Sequence, residues 1–302
     1  MNDLESLIEE TRAHVEGKKA IAAVSGGGDS TLAAYIVQKA GAQVCAVFVD
    51  SGLLRQGEKD RVKALYGRMF DDFQVLDASS EFFDVLRGVT DPEEKRKRIG
   101  KKFVEVFERV ARENGAEILV QGTIAPDWIE SGGQGRDTIK SHHNVGGMPK
   151  TFLKIVEPLR DLYKDEVREL LRQAGIRIED RQPFPGPGLS VRVLGEVTEE
   201  KVAMARKANG IVEDVLREGS SWQYFAVLLP VKSTGVKGDE RRYGITIAIR
   251  AIDSTDGMSA SFSRIPYDLL EEISSRITRE IPECNRVVYD ITNKPPATIE
   301  WE

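Results

Sequence analysis

Ala22-Ala23-Val24-Ser25-Gly26-Gly27-Gly28-Asp29-Ser30-Thr31 carries the chain from an apolar run into a helix-forming one. Lys19 to Val24 reads as a buried strand and Thr31 to Ala40 as a helix, so the glycines occupy a strand-to-helix turn. Glycine lets the backbone approach a ligand closely, and a helix start presents unpaired N–H groups and a positive dipole end. Ser25, Ser30 and Thr31 add hydroxyl donors. That set suits an anion, most naturally a phosphate group; a tight turn without a ligand is the plain alternative. Two common fingerprints are absent. No Gly-Lys-Ser/Thr ending follows, and the third glycine of a dinucleotide fold is missing.

Outward from this turn, strand and helix signals alternate. Leu4, Leu7, Ile8 and Val15 outline an amphipathic first helix. Val44 to Val49, Phe73 to Leu76 and Ile118 to Val120 read as further buried strands. Continuous apolar strands separated by helices predict an α/β domain whose parallel sheet is covered on both faces. Asp91-Pro92-Glu93-Glu94 predicts a capped helix start. Gly122 to Lys150 reads as a long glycine-rich loop, a size that often serves as a lid. Prolines and glycines crowd Pro183 to Gly188 and mark a domain boundary. Beyond it, strands over Ala226 to Val231, Tyr243 to Ile252 and Arg286 to Ile291, with helices around Glu199 to Arg217 and Pro266 to Ile281, predict a smaller α+β domain. The expected division is 1–184 and 185–302.

Composition narrows the classes. Of 302 residues, 40% are hydrophobic and 30% charged, which excludes disordered, collagenous and disulfide-scaffold chains. Apolar runs are too short to span a bilayer, and the acidic opening is not a signal peptide. A net charge of −6 speaks against general nucleic-acid affinity. The 2 cysteines, Cys45 and Cys284, have no C-x-x-C spacing, which fits a reducing cytoplasm.

The S-G-G-x-D-S pattern resembles the pyrophosphate loop of N-type ATP pyrophosphatases, which cleave ATP between the α and β phosphates. The loop implies a reaction type and leaves the substrate open. Val47 to Arg55, Gln121-Gly122-Thr123, Ile139 to Gly147, Pro183 to Leu189, Leu229 to Ser233 with Gly238-Asp239, and the tail Val288 to Glu302 all resemble GMP synthetases, in the family's order. The resemblance implies an adenine-nucleotide α-hydrolase-like domain, then a dimerisation and XMP-binding domain. It implies amination of XMP through an adenylated intermediate, with ATP and Mg²⁺. Ammonia would come from a separate glutaminase subunit, and the chain would form a homodimer. One position departs: the family usually has valine where this chain has Gly28.

Carried over by motif, Ser25, Gly26, Gly27, Gly28, Asp29, Ser30, Thr31 and Asp50 would bind ATP. Asp29 would hold Mg²⁺, or cap the helix. Asp50 would meet the adenosine, or be a solvated strand-end acid. Asp127, Glu130, Lys140 and Lys164 would serve catalysis; the alternatives are surface acids for the first two and a solvated helix face for Lys164. His142-His143 lacks a third ligand and reads as lid packing. Arg96, within the basic run Lys95-Arg96-Lys97-Arg98, would bind the XMP phosphate, unless the run is merely solvated. Gln223, Asp239, Lys294, Ile299 and Glu300 would complete the XMP site. Two rivals differ in kind. A tRNA thiolase would need reactive cysteines, and a nucleotide sensor would bind ATP without releasing pyrophosphate.

Overall fold

In the computed structural model the described residues are 3–125, 153–178, 181–255 and 257–302, with only the backbone of Lys237. Asp127, Glu130, Lys140, His142 and His143 lie outside them. The chain divides into two compact units. The first comprises Met1–Ser51, Glu58–Glu81 and Ile99–Asp180, and the second Gly52–Gly57, Phe82–Arg98 and Arg181–Glu302. The expected 184/185 cut therefore differs in kind as well as position, because two short segments from the first half belong with the second unit.

The first unit is a five-stranded parallel sheet in the order β3-β2-β1-β4-β5, built from β1 (Lys19–Ala23), β2 (Gln43–Asp50), β3 (Asp72–Asp77), β4 (Ile118–Val120) and β5 (Lys154–Val156). Strand β1 is buried over Ala20, Ile21 and Ala22, and β2 from Val44 to Val49, the continuous apolar runs that a doubly covered sheet requires. Around it lie α1 (Leu4–Val15), α2 (Gly28–Lys39), α3 (Glu58–Tyr66) and α6 (Lys164–Gln173). Strand order reverses between β1 and β4, and parallel sheets bind ligands beyond the carboxyl ends of strands at such a point. The glycine turn follows β1 at that place. Helix α2 begins at Gly28 rather than Thr31, so the third glycine supplies the helix's first residue and Gly27 is its cap.

The unit boundary passes through α4 (Ser79–Leu86) and α5 (Pro92–Asn114). Asp91 caps α5 as its sequence predicts, its Oδ1 accepting the Glu94 N–H at 2.8 Å.

The second unit holds a mixed sheet of β6 (Gln223–Lys237), β7 (Glu240–Asp253), β8 (Ser261–Phe262) and β9 (Cys284–Tyr289), with α7 (Glu199–Leu216) and α8 (Tyr267–Glu280). Strands β6 and β7 form one long antiparallel hairpin, and β9 runs parallel to β7. Both strands outrun the expected spans, because the hairpin's outer half is solvent-exposed and carries no apolar alternation. A 3₁₀ helix (Gly188–Arg192) starts inside the stretch expected to be irregular. Phe225, Val227 and Ala248 form a fully buried cluster, with Leu194, Leu229 and Ile299 packed on it.

Candidate active site

In the first unit the glycine turn is closed by polar bonds. Gly26 has φ +86°, a left-handed conformation that glycine adopts without strain. Its N–H donates to the Tyr66 hydroxyl at 3.0 Å. The Thr31 hydroxyl lies 2.7 Å from Tyr66 Oη and donates to the Gly27 carbonyl at 2.7 Å. Thr31 and Tyr66 are wholly buried. Ser25 and Ser30 remain at the surface, their hydroxyls 3.1 Å apart. The Thr31 hydroxyl, expected to meet ATP, is engaged inside the loop by the Gly27 carbonyl and Tyr66. Gly122, just past β4, backs onto the same turn. A Cβ there would come 2.6 Å from the Ser30 nitrogen and 2.7 Å from the Asp29 carbonyl carbon, both backbone atoms, so close approach demands glycine.

Asp29 sits in the first turn of α2 and makes no cap bond. Its Oδ2 accepts from Lys164 Nζ at 2.7 Å, while its Oδ1 is buried with no partner. Lys164, on the first turn of α6, stays half-exposed and reaches the glycine turn from its helix face. Asp50, at the end of β2, accepts from Lys59 Nζ at 2.7 Å, and that bond raises Lys59 above the ordinary lysine value. A bare strand-end acid it is not.

In the second unit the tail is gripped by buried cations. Arg192 forks onto Glu300, Nη2 to Oε1 at 2.8 Å and Nε to Oε2 at 3.1 Å, with Asn209 taking Nη1. Its guanidinium lies 4.2 Å from the Phe225 ring centre and 5.0 Å from that of Phe184. Gln223 Nε2 also reaches Glu300 Oε1, at 3.1 Å. Arg250, fully buried, donates to the carbonyls of Thr292, Thr298 and Ile299 and to Asp290. Lys95, fully buried, donates to the Val193 carbonyl at 2.8 Å and to the Glu302 carboxylate. Burial pulls Lys95 below the ordinary lysine value, and Glu302 opposes that shift. Lys294 Nζ donates to the Gly257 carbonyl at 2.7 Å.

Of the expected XMP residues, Gln223, Ile299 and Glu300 come together and Lys294 lies on the same ordered tail. Asp239 does not. It occupies the hairpin turn after Lys237, whereas Gln223 pairs with Ile252 at the opposite end. At ~3.3 Å per residue those ends lie roughly 40–45 Å apart. Arg96 is paired with Glu93 at 2.7 Å, one helical turn away. Lys95, Arg192, Arg250 and Tyr66 escaped the sequence reading. A buried lysine inside a basic run has no composition signal, and the arginines lie in strand and turn stretches that read as structural.

Both cysteines are buried. Burial is the main cause that raises the Cys45 thiol to about 12, Asp72 adding to it, and burial raises that of Cys284. Among the described residues no cluster of three or more His, Cys, Asp or Glu side chains could hold a metal, and no helix is long and apolar enough to cross a membrane.

Residues 191–301 match the model of the GMP synthase C terminal domain, and residues 15–176 match that of the Thiamine biosynthesis protein (ThiI). The chain is 56% identical over 306 residues to a subunit of the glutamine-hydrolyzing GMP synthase of Thermoplasma acidophilum, covering 99% of this chain and 98% of that one. The same subunit from Methanopyrus kandleri is likewise 56% identical, over 311 residues that cover 99% of this chain and 98% of that one. The glutamine-hydrolyzing GMP synthase of Thermotoga petrophila is 55% identical across 98% of this chain, which spans 62% of that longer protein.

Proposed function

The chain belongs to the GMP synthase family, among the members named as one subunit of the enzyme, and from that membership we propose how its own residues perform the synthase's ATP-dependent half. XMP is aminated to GMP, and ATP is converted to AMP and pyrophosphate. In the first step the xanthine O2 attacks the α-phosphorus of ATP; the bond to the β-phosphate oxygen breaks and pyrophosphate leaves. In the second, ammonia attacks C2, the C2–O2 bond breaks, and AMP departs with that oxygen. Such transfers depend on in-line placement and on neutralising charge, more than on covalent help from the protein.

The observation that carries the first unit's part is the closed glycine turn at the sheet's switch point, with Asp29 and Lys164 paired beside it. The N–H groups of Gly28, Asp29 and Ser30 open α2 and have no intrahelical acceptor by helix geometry, so they face the phosphates. The Ser25 and Ser30 hydroxyls, bonded to each other and, from Ser30, to the Gly27 carbonyl, join them by exchanging those partners. Lys164 exchanges Asp29 for the phosphate chain when nucleotide arrives. Mg²⁺ suits this donor set. The partnerless, buried Asp29 Oδ1 offers it one carboxylate oxygen, and magnesium takes its remaining ligands from phosphates and water. Bound there, it would neutralise charge on the leaving pyrophosphate. Asp50 with Lys59 fits the adenosine side. Lys140 on the phosphates, and Asp127 and Glu130 near the activated base, keep the roles that the family resemblance implies.

The second unit binds XMP along the tail, with Gln223, Lys294, Ile299 and Glu300 as its edge and Arg96 for the phosphate, which displaces Glu93. Asp239 can join that site only from a second copy. A homodimer through the hairpin's outer half would supply it, and exposed Val231, Val236 and Tyr243 there give an apolar surface to cover. Ammonia comes from a separate glutaminase subunit; burial raises both thiols, which disfavours the thiolate that a glutaminase nucleophile needs. A cytoplasmic setting accords with two free cysteines.

The test is AMP and pyrophosphate release from ATP and ammonium, with XMP in one arm and deamido-NAD in the other. Release that depends on XMP alone supports the assignment. Release with deamido-NAD would move the chain to another pyrophosphatase, and ATP binding without release would make it a sensor.

A further inference from the structure

Thr31 Oγ1 stands 2.7 Å from two oxygens, the Gly27 carbonyl and the Tyr66 hydroxyl. A carbonyl cannot donate, so the single Thr31 proton goes to Gly27. Tyr66 must then give its own proton to Thr31, and it accepts the Gly26 N–H at 3.0 Å. Every proton in the chain of bonds is thereby placed: Gly26 N–H to Tyr66, Tyr66 O–H to Thr31, Thr31 O–H to the Gly27 carbonyl. Both side chains are wholly buried, and Tyr66 is wedged against Phe70 and Phe73 with ring centres 5.8 and 5.5 Å away.

We propose that Tyr66 is a positioning residue for the phosphate loop, fixing which peptide groups of Gly26 and Gly27 the loop withdraws from the nucleotide. The Gly26 N–H is held inward. The Gly27 carbonyl, whose negative oxygen would repel a phosphate, is also occupied by the Ser30 hydroxyl at 3.2 Å and the Thr31 N–H at 3.2 Å. What remains for an anion is the row of donors that opens α2. Preorganisation of this kind lowers the ordering cost of binding, and Gly26-Gly27-Gly28 has more of that cost to lose than any other tripeptide. Burial raises the Tyr66 hydroxyl above the ordinary tyrosine value, which keeps its proton in place through neutral pH.

This role rests on the loop being the ATP site, so its test reads ATP binding directly. Calorimetric titration of the full chain with Mg²⁺-ATP, without XMP, gives Kd for the wild type, Tyr66→Phe, Thr31→Val and the double variant. Each single change should weaken ATP by about tenfold, the scale of one lost hydrogen bond. The double variant should be no weaker than either single one, because all three cut the same chain. Thr31→Ser, which keeps the hydroxyl, should bind as the wild type does, and the KM for XMP should stay unchanged in Tyr66→Phe. Unaltered ATP binding in Tyr66→Phe, or losses that multiply in the double variant, would overturn the proposal. Should Tyr66→Phe fail to fold, the Thr31→Val and Thr31→Ser pair decides alone: equal Kd values would overturn it. Absence of XMP-dependent AMP release in the wild type would refute the enzyme reading and leave these titrations standing.

Discussion

Lys164 Nζ lies 2.7 Å from Asp29 Oδ2 and joins two helix starts 135 residues apart in the chain. The second Asp29 oxygen is buried without a partner, so the carboxylate is paired at one oxygen and unpaired at the other. The lysine aims the acid, and the acid keeps the lysine at the loop. Asp29→Ala should therefore cut turnover by at least ~10²-fold at saturating Mg²⁺-ATP, the usual scale for an electrostatic deletion. Lys164→Met should lower kcat as well, and its measured Mg²⁺ requirement should shift, since it alters the group that aims Asp29. Near-wild-type kcat in Asp29→Ala would remove the acid from the site.

Two glycines beside that pair should respond in opposite ways. A Cβ on Gly122 meets backbone at 2.6 Å, which cannot yield without moving the start of α2, so Gly122→Ala should weaken ATP binding and lower Tm. A Cβ on Gly28 meets only the Leu171 side-chain tip, at 2.9 Å, and a rotamer change relieves it. Gly28→Ala should be tolerated and gain ~0.4–1 kcal/mol by restricting the unfolded chain. Thermal melts and ATP titrations of both variants check this.

The tail makes a third case. Lys95 is fully buried and Glu302 nearly so, and truncating one partner of such a pair typically costs ~3–5 kcal/mol. Lys95→Met should lower Tm and raise the KM for XMP while leaving ATP binding intact. Arg192→Lys should do likewise, because lysine cannot reproduce the fork onto Glu300. A change in ATP affinity alone would contradict this division of labour.

The thiols give the fourth. With the Cys45 thiol raised to about 12 and Cys284 shifted the same way, both are protonated through neutral pH. Raised pKa values mean that the reactive thiolate appears only as pH climbs toward them. Native protein at pH 8 should resist iodoacetamide and keep its ammonium-dependent activity after exposure, measured by mass spectrometry and GMP formation. Glutamine alone, without a partner subunit, should yield no GMP.

Much of this was legible before any coordinates. Buried strands betray themselves as unbroken apolar runs, and β1, β2 and β4 fall within a residue or two of their expected spans. Asp91 and Pro92 announce the start of α5 through capping chemistry. Other features leave no local trace. Strand β5 is three residues long, and the outer hairpin is largely exposed, with small or polar residues such as Ser233 and Gly235 half-buried where it packs, so neither shows an apolar period. Segments 52–57 and 82–98 belong with the second unit because of long-range packing, which no window of sequence contains. Site residues follow the same rule. The loop hydroxyls were visible in the motif, but which of them face inward depends on Tyr66, 35 residues from Thr31. The XMP residues were gathered by motif alone, and only the register of β6 against β7 separates Asp239 from Gln223.

The central claim is that the xanthine O2 attacks the α-phosphorus of ATP and later leaves on AMP. XMP labelled with ¹⁸O at position 2, incubated with this protein, Mg²⁺-ATP and ammonium, tests it by mass spectrometry of the products. One ¹⁸O in the phosphate of each AMP, with unlabelled pyrophosphate, is the predicted result. Unlabelled AMP formed alongside GMP would show that O2 never bonded to phosphorus, and would contradict the account.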